Sequence, residues 1–188
     1  MARADGIGGV DLTAERYTVK QSLVRDRYRV YDDEGGLLLE ADRRELRAQQ
    51  EFHFRDTDGD VVFSVREGNI DDDFFIVPHE GDSPMVILER DSALLSQEWN
   101  VRHGSNERLL ATIEARGPML EFFRYYVPMM GVLPHSYTIE DADGSKLGTL
   151  SGQFTLHDSY ELDVETAEDA NRESLVAAAL TIDALDVN

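Results

Sequence analysis

The run Asp56-Thr57-Asp58-Gly59-Asp60 has the alternating oxygen donors of a calcium loop. An EF-hand loop needs glycine at its sixth place and glutamate at its twelfth. Counted from Asp56 these places hold Val61 and Glu67, so the turn glycine is missing and Asp58-Gly59 reads as a hairpin turn. The five histidines (His53, His79, His103, His135 and His157) stand one per strand or turn, without the spacing of a zinc or general-base motif. Gly6-Ile7-Gly8-Gly9 precedes every strand and so lacks the strand–turn–helix setting of a dinucleotide site. No G-x-S-x-G elbow occurs, and cysteine is absent, which removes thiolate ligands, nucleophiles and disulfides. Paired carboxylates abound, but in a chain with 38 acids their proximity selects nothing. No catalytic set, metal or cofactor is expected.

Two segments carry contact chemistry instead. Arg43, Arg44 and Arg47 form the one basic cluster, and Glu40, Asp42, Glu45 and Glu51 flank it and would form a local salt-bridge network. Between Gly117 and Gly131 lies an apolar insertion with Pro118 suited to a first helical turn and Pro128 to its end. Phe122, Phe123, Tyr125, Tyr126, Met129 and Met130 are the candidate ligand or membrane contacts. They either cap an open end of the domain or form an exposed patch for a membrane surface or partner.

Charge narrows the setting. Acids outnumber bases 38 to 18, for a net charge of −20, and the only lysines are Lys20 and Lys146. Such a charge repels itself in dilute salt, whereas in molar salt the screening length falls to about 3 Å. The composition suits a high-salt, halophilic cytoplasm, with an acidic mesophilic protein as the alternative. It also disfavours nucleic acid, whose binding rests on counterion release that molar salt removes. No apolar run reaches the roughly 18 residues of a membrane span, and no leader core opens the sequence. A cytoplasmic protein without a transmembrane segment is expected.

The elements that must hold these segments are strands. Tyr17, Val19, Gln21 and Leu23 alternate with polar neighbours, as do Tyr28 and Val30, Phe52 and Phe54, and Tyr160, Leu162 and Val164. Turn signals recur at Gly35-Gly36, Asp58-Gly59, Gly81-Asp82, Gly104-Ser105 and Asp143-Gly144, about 23 residues apart until the insertion lengthens one unit. Twelve strands are predicted, starting near residues 17, 26, 37, 50, 60, 73, 84, 95, 107, 135, 146 and 154. Residues 1–16 form a flexible N-terminal segment, 17–188 one domain, and about 116–134 the insertion.

After the last strand, Arg172 to Leu185 reads as a helix apolar on nearly every side, hence buried. Asp183 and Asp186 close it. Eight strands fill a barrel with their own side chains and sixteen leave a channel. Twelve leave room for one helix, so the expected fold is mainly β: a twelve-stranded antiparallel barrel enclosing the hydrophobic C-terminal helix. A β-sandwich with the helix on one face is the alternative.

The segments Tyr17–Asp32, Ser136–Gly144, Gly152–Leu162 and Leu175–Leu185 resemble the opening hairpin, closing strands and helix of the LURP-one-related family, its haloarchaeal members above all. That family belongs with phospholipid scramblases and tubby C-terminal domains, so the resemblance implies the same barrel and a binding role. Scramblases are calcium-linked through an acidic stretch before the helix; Glu165 to Asn171 lacks ordered ligand spacing, and the site is not carried over. Tubby domains hold phosphoinositide head groups with basic residues, which Arg43, Arg44 and Arg47 match in type alone. Three functions follow in order. The first is a non-catalytic binding or scaffold module adapted to high salt. The second is a peripheral lipid-binding or scramblase-like protein docking at the inner membrane face through residues 118–133. The third is an enzyme with an unrecognised site.

Overall fold

The computed structural model describes residues 7–22, 27–42, 51–68, 73–91, 98–115, 136–153, 159–164, 166–167 and 169–186. Twelve strands run in chain order: β1 (Arg16–Ser22), β2 (Arg27–Tyr31), β3 (Leu37–Asp42), β4 (Glu51–Arg55), β5 (Val61–Glu67), β6 (Asp73–Pro78), β7 (Val86–Asp91), β8 (Glu98–His103), β9 (Leu109–Ala115), β10 (Ser136–Glu140), β11 (Lys146–Gln153) and β12 (Ser159–Asp163). Helix α1 (Asp169–Asp186) follows. Each strand pairs antiparallel with its sequence neighbours, and β1 closes the ring on β12 from Arg16↔Asp163 to Lys20↔Ser159. The barrel is thus closed and the sandwich alternative falls. Eleven strands start within three residues of the predicted positions; β12 starts at Ser159 rather than near 154.

Alternation fills the lumen from the wall. Tyr17 and Val19, Tyr28 and Val30, Phe52 and Phe54, Val86 and Leu88, and Trp99 and Val101 are all buried, while their neighbours along each strand are less so. Every residue of α1 from Leu175 to Ala184 is buried too, which places the helix inside the ring. Its small residues permit this: Ala177, Ala178 and Ala179 share one buried cluster with the large Phe54, Phe63 and Trp99 of the wall. Phe54 and Phe63 stack with centroids 4.5 Å apart.

Three of the hairpins share one turn chemistry. At Asp32–Gly36, Asp56–Asp60 and Asp141–Ser145 the first aspartate both donates its N–H to the fifth residue's carbonyl and accepts the glycine N–H at the fourth. Gly35, Gly59 and Gly144 take φ of 82°, 90° and 81° there. This is a type I turn followed by a glycine bulge, and each is accompanied by a one-residue register shift in the ladder. Gly81 and Gly104 do not use positive φ. Gly104 is needed for closeness, since a Cβ on it would lie 1.9 Å from the Pro84 carbonyl oxygen. In its turn Glu107 takes the left-handed place, at φ 55°.

Alternating direction gives the barrel two unlike rims. The five hairpins just described or spanned by short turns, together with the β12–α1 connection, form a turn rim. The connections 23–26, 43–50, 69–72, 92–97, 116–135 and 154–158, which lie outside the described residues, all leave from the opposite rim. The chain before β1 belongs to the turn rim. Within it Ile7 and Leu12 are buried, and Gly8 packs so closely that a Cβ would sit 2.7 Å from the Val62 carbonyl oxygen.

Candidate functional site

The residues singled out for contact chemistry, Phe122, Phe123, Tyr125, Tyr126, Met129 and Met130 with Arg43, Arg44 and Arg47, all lie outside the described residues. What is described is their anchorage. Asp42 and Glu51 bound the arginine connection, and Ala115 and Ser136 bound the insertion. Both connections leave the loop rim, six strand places apart in a ring of twelve, hence on opposite sides of the mouth.

The Asp56–Asp60 loop is a turn in its chemistry as well as its spacing. Asp56 Oδ1 accepts 2.9 Å hydrogen bonds from the N–H groups of both Asp58 and Asp60. Asp141 Oδ1 is held the same way by Asp143 and Ser145. The carboxylate that would lead a metal site is therefore committed to backbone. Among the described residues no three His, Asp or Glu side chains gather to hold a metal. Of the described histidines, His53 lies 3.7 Å from Glu51 on the barrel wall, His79 is exposed, and His103 faces the backbone of its own turn through Ser105.

The lumen holds a polar contact that the sequence does not reveal. Asp183, read from the sequence only as closing the helix, is 2% exposed and accepts a hydrogen bond from the Tyr28 hydroxyl. That hydroxyl also lies 3.1 Å from the Leu180 carbonyl oxygen. Burial, followed by the Asp183 charge, pushes the Tyr28 hydroxyl well above its ordinary titration range. At the helix entrance burial also raises Tyr17, whose Oη has no hydrogen-bond partner, and raises Glu173 with help from Asp11. Trp99 Nε1 is likewise buried without a partner, with the Arg90 guanidinium 5.3 Å from its ring centroid.

Arg172 seals that entrance. Its guanidinium donates to the Thr13 carbonyl at 3.0 Å and to the Ala167 carbonyl at 2.9 Å, joining the N-terminal segment, the β12–α1 connection and the helix. Beside the seal a cavity of about 420 Å³ opens between the β8–β9 turn, the β10–β11 turn and the first turns of α1. Arg108 and Lys146 contribute its cations, Asp141 and Asp143 its carboxylates, and Leu110, Leu147 and Leu175 part of its apolar wall. Nothing in the sequence marked it, because three distant stretches build it and no local spacing records their meeting. Among the described residues no helix is long and apolar enough to cross a membrane.

The comparisons agree with this architecture. No curated protein matches the chain significantly in sequence. The X-ray structure of an Arabidopsis thaliana protein is similar in fold, with a TM-score of 0.57 at 13% identity over 94% of this chain and 97% of that one. The family model for LURP-one-related proteins matches residues 15–183, from the start of the first strand into the buried helix. A closed twelve-stranded barrel around its own C-terminal helix, matched over that whole span, belongs to the LURP-one-related family.

Proposed function

We propose that this chain is a non-catalytic binding module of high-salt cytoplasm whose partner docks on the loop rim. One observation supports this reading above others: the lumen, where a barrel would hold a ligand, is occupied by α1, with Leu175 to Ala184 all buried. Recognition then falls to the ends of the barrel. The loop rim carries the longest connection, 116–135, with its six aromatic and methionine candidates. Under molar salt an exposed arginine–phosphate attraction is screened within about 3 Å, whereas apolar burial keeps its strength. The aromatic insertion is therefore the favoured contact and Arg43, Arg44 and Arg47 the weaker one.

A membrane surface is the second reading, favoured by the combination of aromatic and methionine side chains in Phe122 to Met130. Liposome flotation in molar KCl, with and without residues 118–133, separates it from a protein partner. A paired set assigns the surface. Phe122, Phe123, Tyr125 and Tyr126 become Ser in one variant; Arg43, Arg44 and Arg47 become Gln in the other. The first is expected to lose association with its fold intact. Unfolding of that variant would make the insertion a barrel cap. Loss confined to the arginine variant would overturn the argument from screening.

A further inference from the structure

Eight of the ten arginine and lysine side chains described are engaged. Arg16, Arg29, Arg66 and Arg102 pair with carboxylates, and Lys20 and Arg90 lie over aromatic rings. Arg172 is bound to carbonyls, and Arg55 has a partner as well. The remaining two are Arg108 and Lys146, and both line the cavity beside the helix entrance. In a chain of 38 acids and 18 bases, unpaired cations are the exception, and finding both in one place calls for an account. Neither forms a salt bridge with Asp141 or Asp143, although these line the same cavity.

The backbone beneath each cation is fixed. Arg108 donates its N–H to Asn106 Oδ1 at 3.1 Å and receives the His103 N–H on its carbonyl at 2.9 Å. The Lys146 carbonyl accepts the Thr166 hydroxyl at 2.9 Å. Asp141 is occupied by two backbone N–H groups of its own turn, which leaves Asp143 as the one uncommitted carboxylate of the wall. Half-buried Leu147, with Leu110 and Leu175 buried behind it, supplies a small apolar floor in an otherwise mostly polar lining. About 420 Å³ suits a small organic molecule and not a macromolecular segment.

We propose that this cavity binds a soluble organic oxyanion, a carboxylate or phosphate between Arg108 and Lys146 carried on a short apolar body resting on the leucine floor. The apolar body matters because screened charges alone hold little in molar salt. The site sits on the turn rim, opposite the loop rim, and stands whether or not that rim docks a partner. The probes are octanoate, octyl phosphate and inorganic phosphate, titrated by calorimetry into the full chain in KCl. Both octyl compounds are expected to bind saturably, and inorganic phosphate at equal ionic strength is expected not to. In the double variant Arg108→Gln, Lys146→Gln, octyl affinity should fall at least about tenfold, which is about 1.4 kcal/mol. Phosphate binding as tight as octyl phosphate, or octanoate binding unchanged in the double variant, overturns the proposal. Phosphatidylglycerol vesicles form the last arm: flotation that depends on Arg108 and Lys146 would make the ligand a lipid and likewise overturn a soluble one.

Discussion

The Tyr28 hydroxyl donates a 2.8 Å hydrogen bond to Oδ2 of Asp183, fastening the second strand to the buried helix across 155 residues of sequence. A carboxylate this deep is held by its donors, and removing one leaves acceptor capacity unfilled. Tyr28→Phe is expected to destabilise by about 1–3 kcal/mol, read as a lower denaturant midpoint at constant slope. A change under a few tenths would mean that Asp183 draws its compensation elsewhere.

The same pair sets an alkaline limit. With its pKa held above the ordinary value of 10.0 by burial and by Asp183, Tyr28 keeps its proton in the fold while the unfolded chain releases it. The folded state then binds more protons than the unfolded one, so stability is full below about pH 10 and declines as pH rises past it. Tyr17, raised by burial, acts in the same direction. Unfolding free energy measured from about pH 8 to 11 should fall less steeply in Tyr28→Phe than in the parent.

Removal of residues 172–188 should abolish the cooperative fold. It takes away Leu175, Val176, Leu180 and Ile182, all fully or nearly fully buried, along with the alanines between them. Each large side chain contributes roughly 1.5–3 kcal/mol, which together rivals the net stability of a domain. A shortened chain that still melts in one sharp transition would contradict a lumen filled by the helix.

Salt should act in one direction only. Dilution from molar KCl unscreens the repulsion behind a net charge of −20, and the protein should lose stability progressively. Trp99, the single tryptophan and fully buried, reports this as a red shift in emission. Equal melting temperatures in about 3 M and 0.1 M salt would remove the high-salt reading.

The β8–β9 turn offers a contrast within five residues. Glu107 holds φ 55°, a conformation that costs an L-residue about 1–2 kcal/mol, so Glu107→Gly should be neutral or stabilising. Gly104→Ala must instead displace the Pro84 backbone, because its Cβ would lie 1.9 Å from that carbonyl oxygen. Thermal unfolding of the two variants should move in opposite directions, or at least only Gly104→Ala should fall.

Period-two alternation in stretches such as Tyr17–Val19 and Phe52–Phe54, with turn signals at Gly35, Gly59 and Gly144, made the strands and their order legible from the chain. An almost wholly apolar helix after them implied its own burial. Asp183 was illegible for the same reason: a carboxylate near a helix end looks solvated until a tyrosine 155 residues earlier is known to meet it. Gly104 resembled its fellow turn glycines because a sequence records composition and not the approach of Pro84. The cavity between Arg108 and Lys146 depends on two turns and a helix converging on one rim, a relation with no local period. As for the insertion and the arginine cluster, the strand order shows which rim they leave and on which sides, and their side-chain contacts lie beyond the described residues.

A ring of strands hydrogen-bonded on both sides has no edge, and a protein without an edge cannot recognise a peptide by adopting it as another strand. Nor does it offer its neighbours a template for aggregation. Among the described residues the β3–β4 ladder holds the pairs Glu40↔Arg55 and Ala41↔Phe54, which carry the closed ring past the connection that bears Arg43, Arg44 and Arg47.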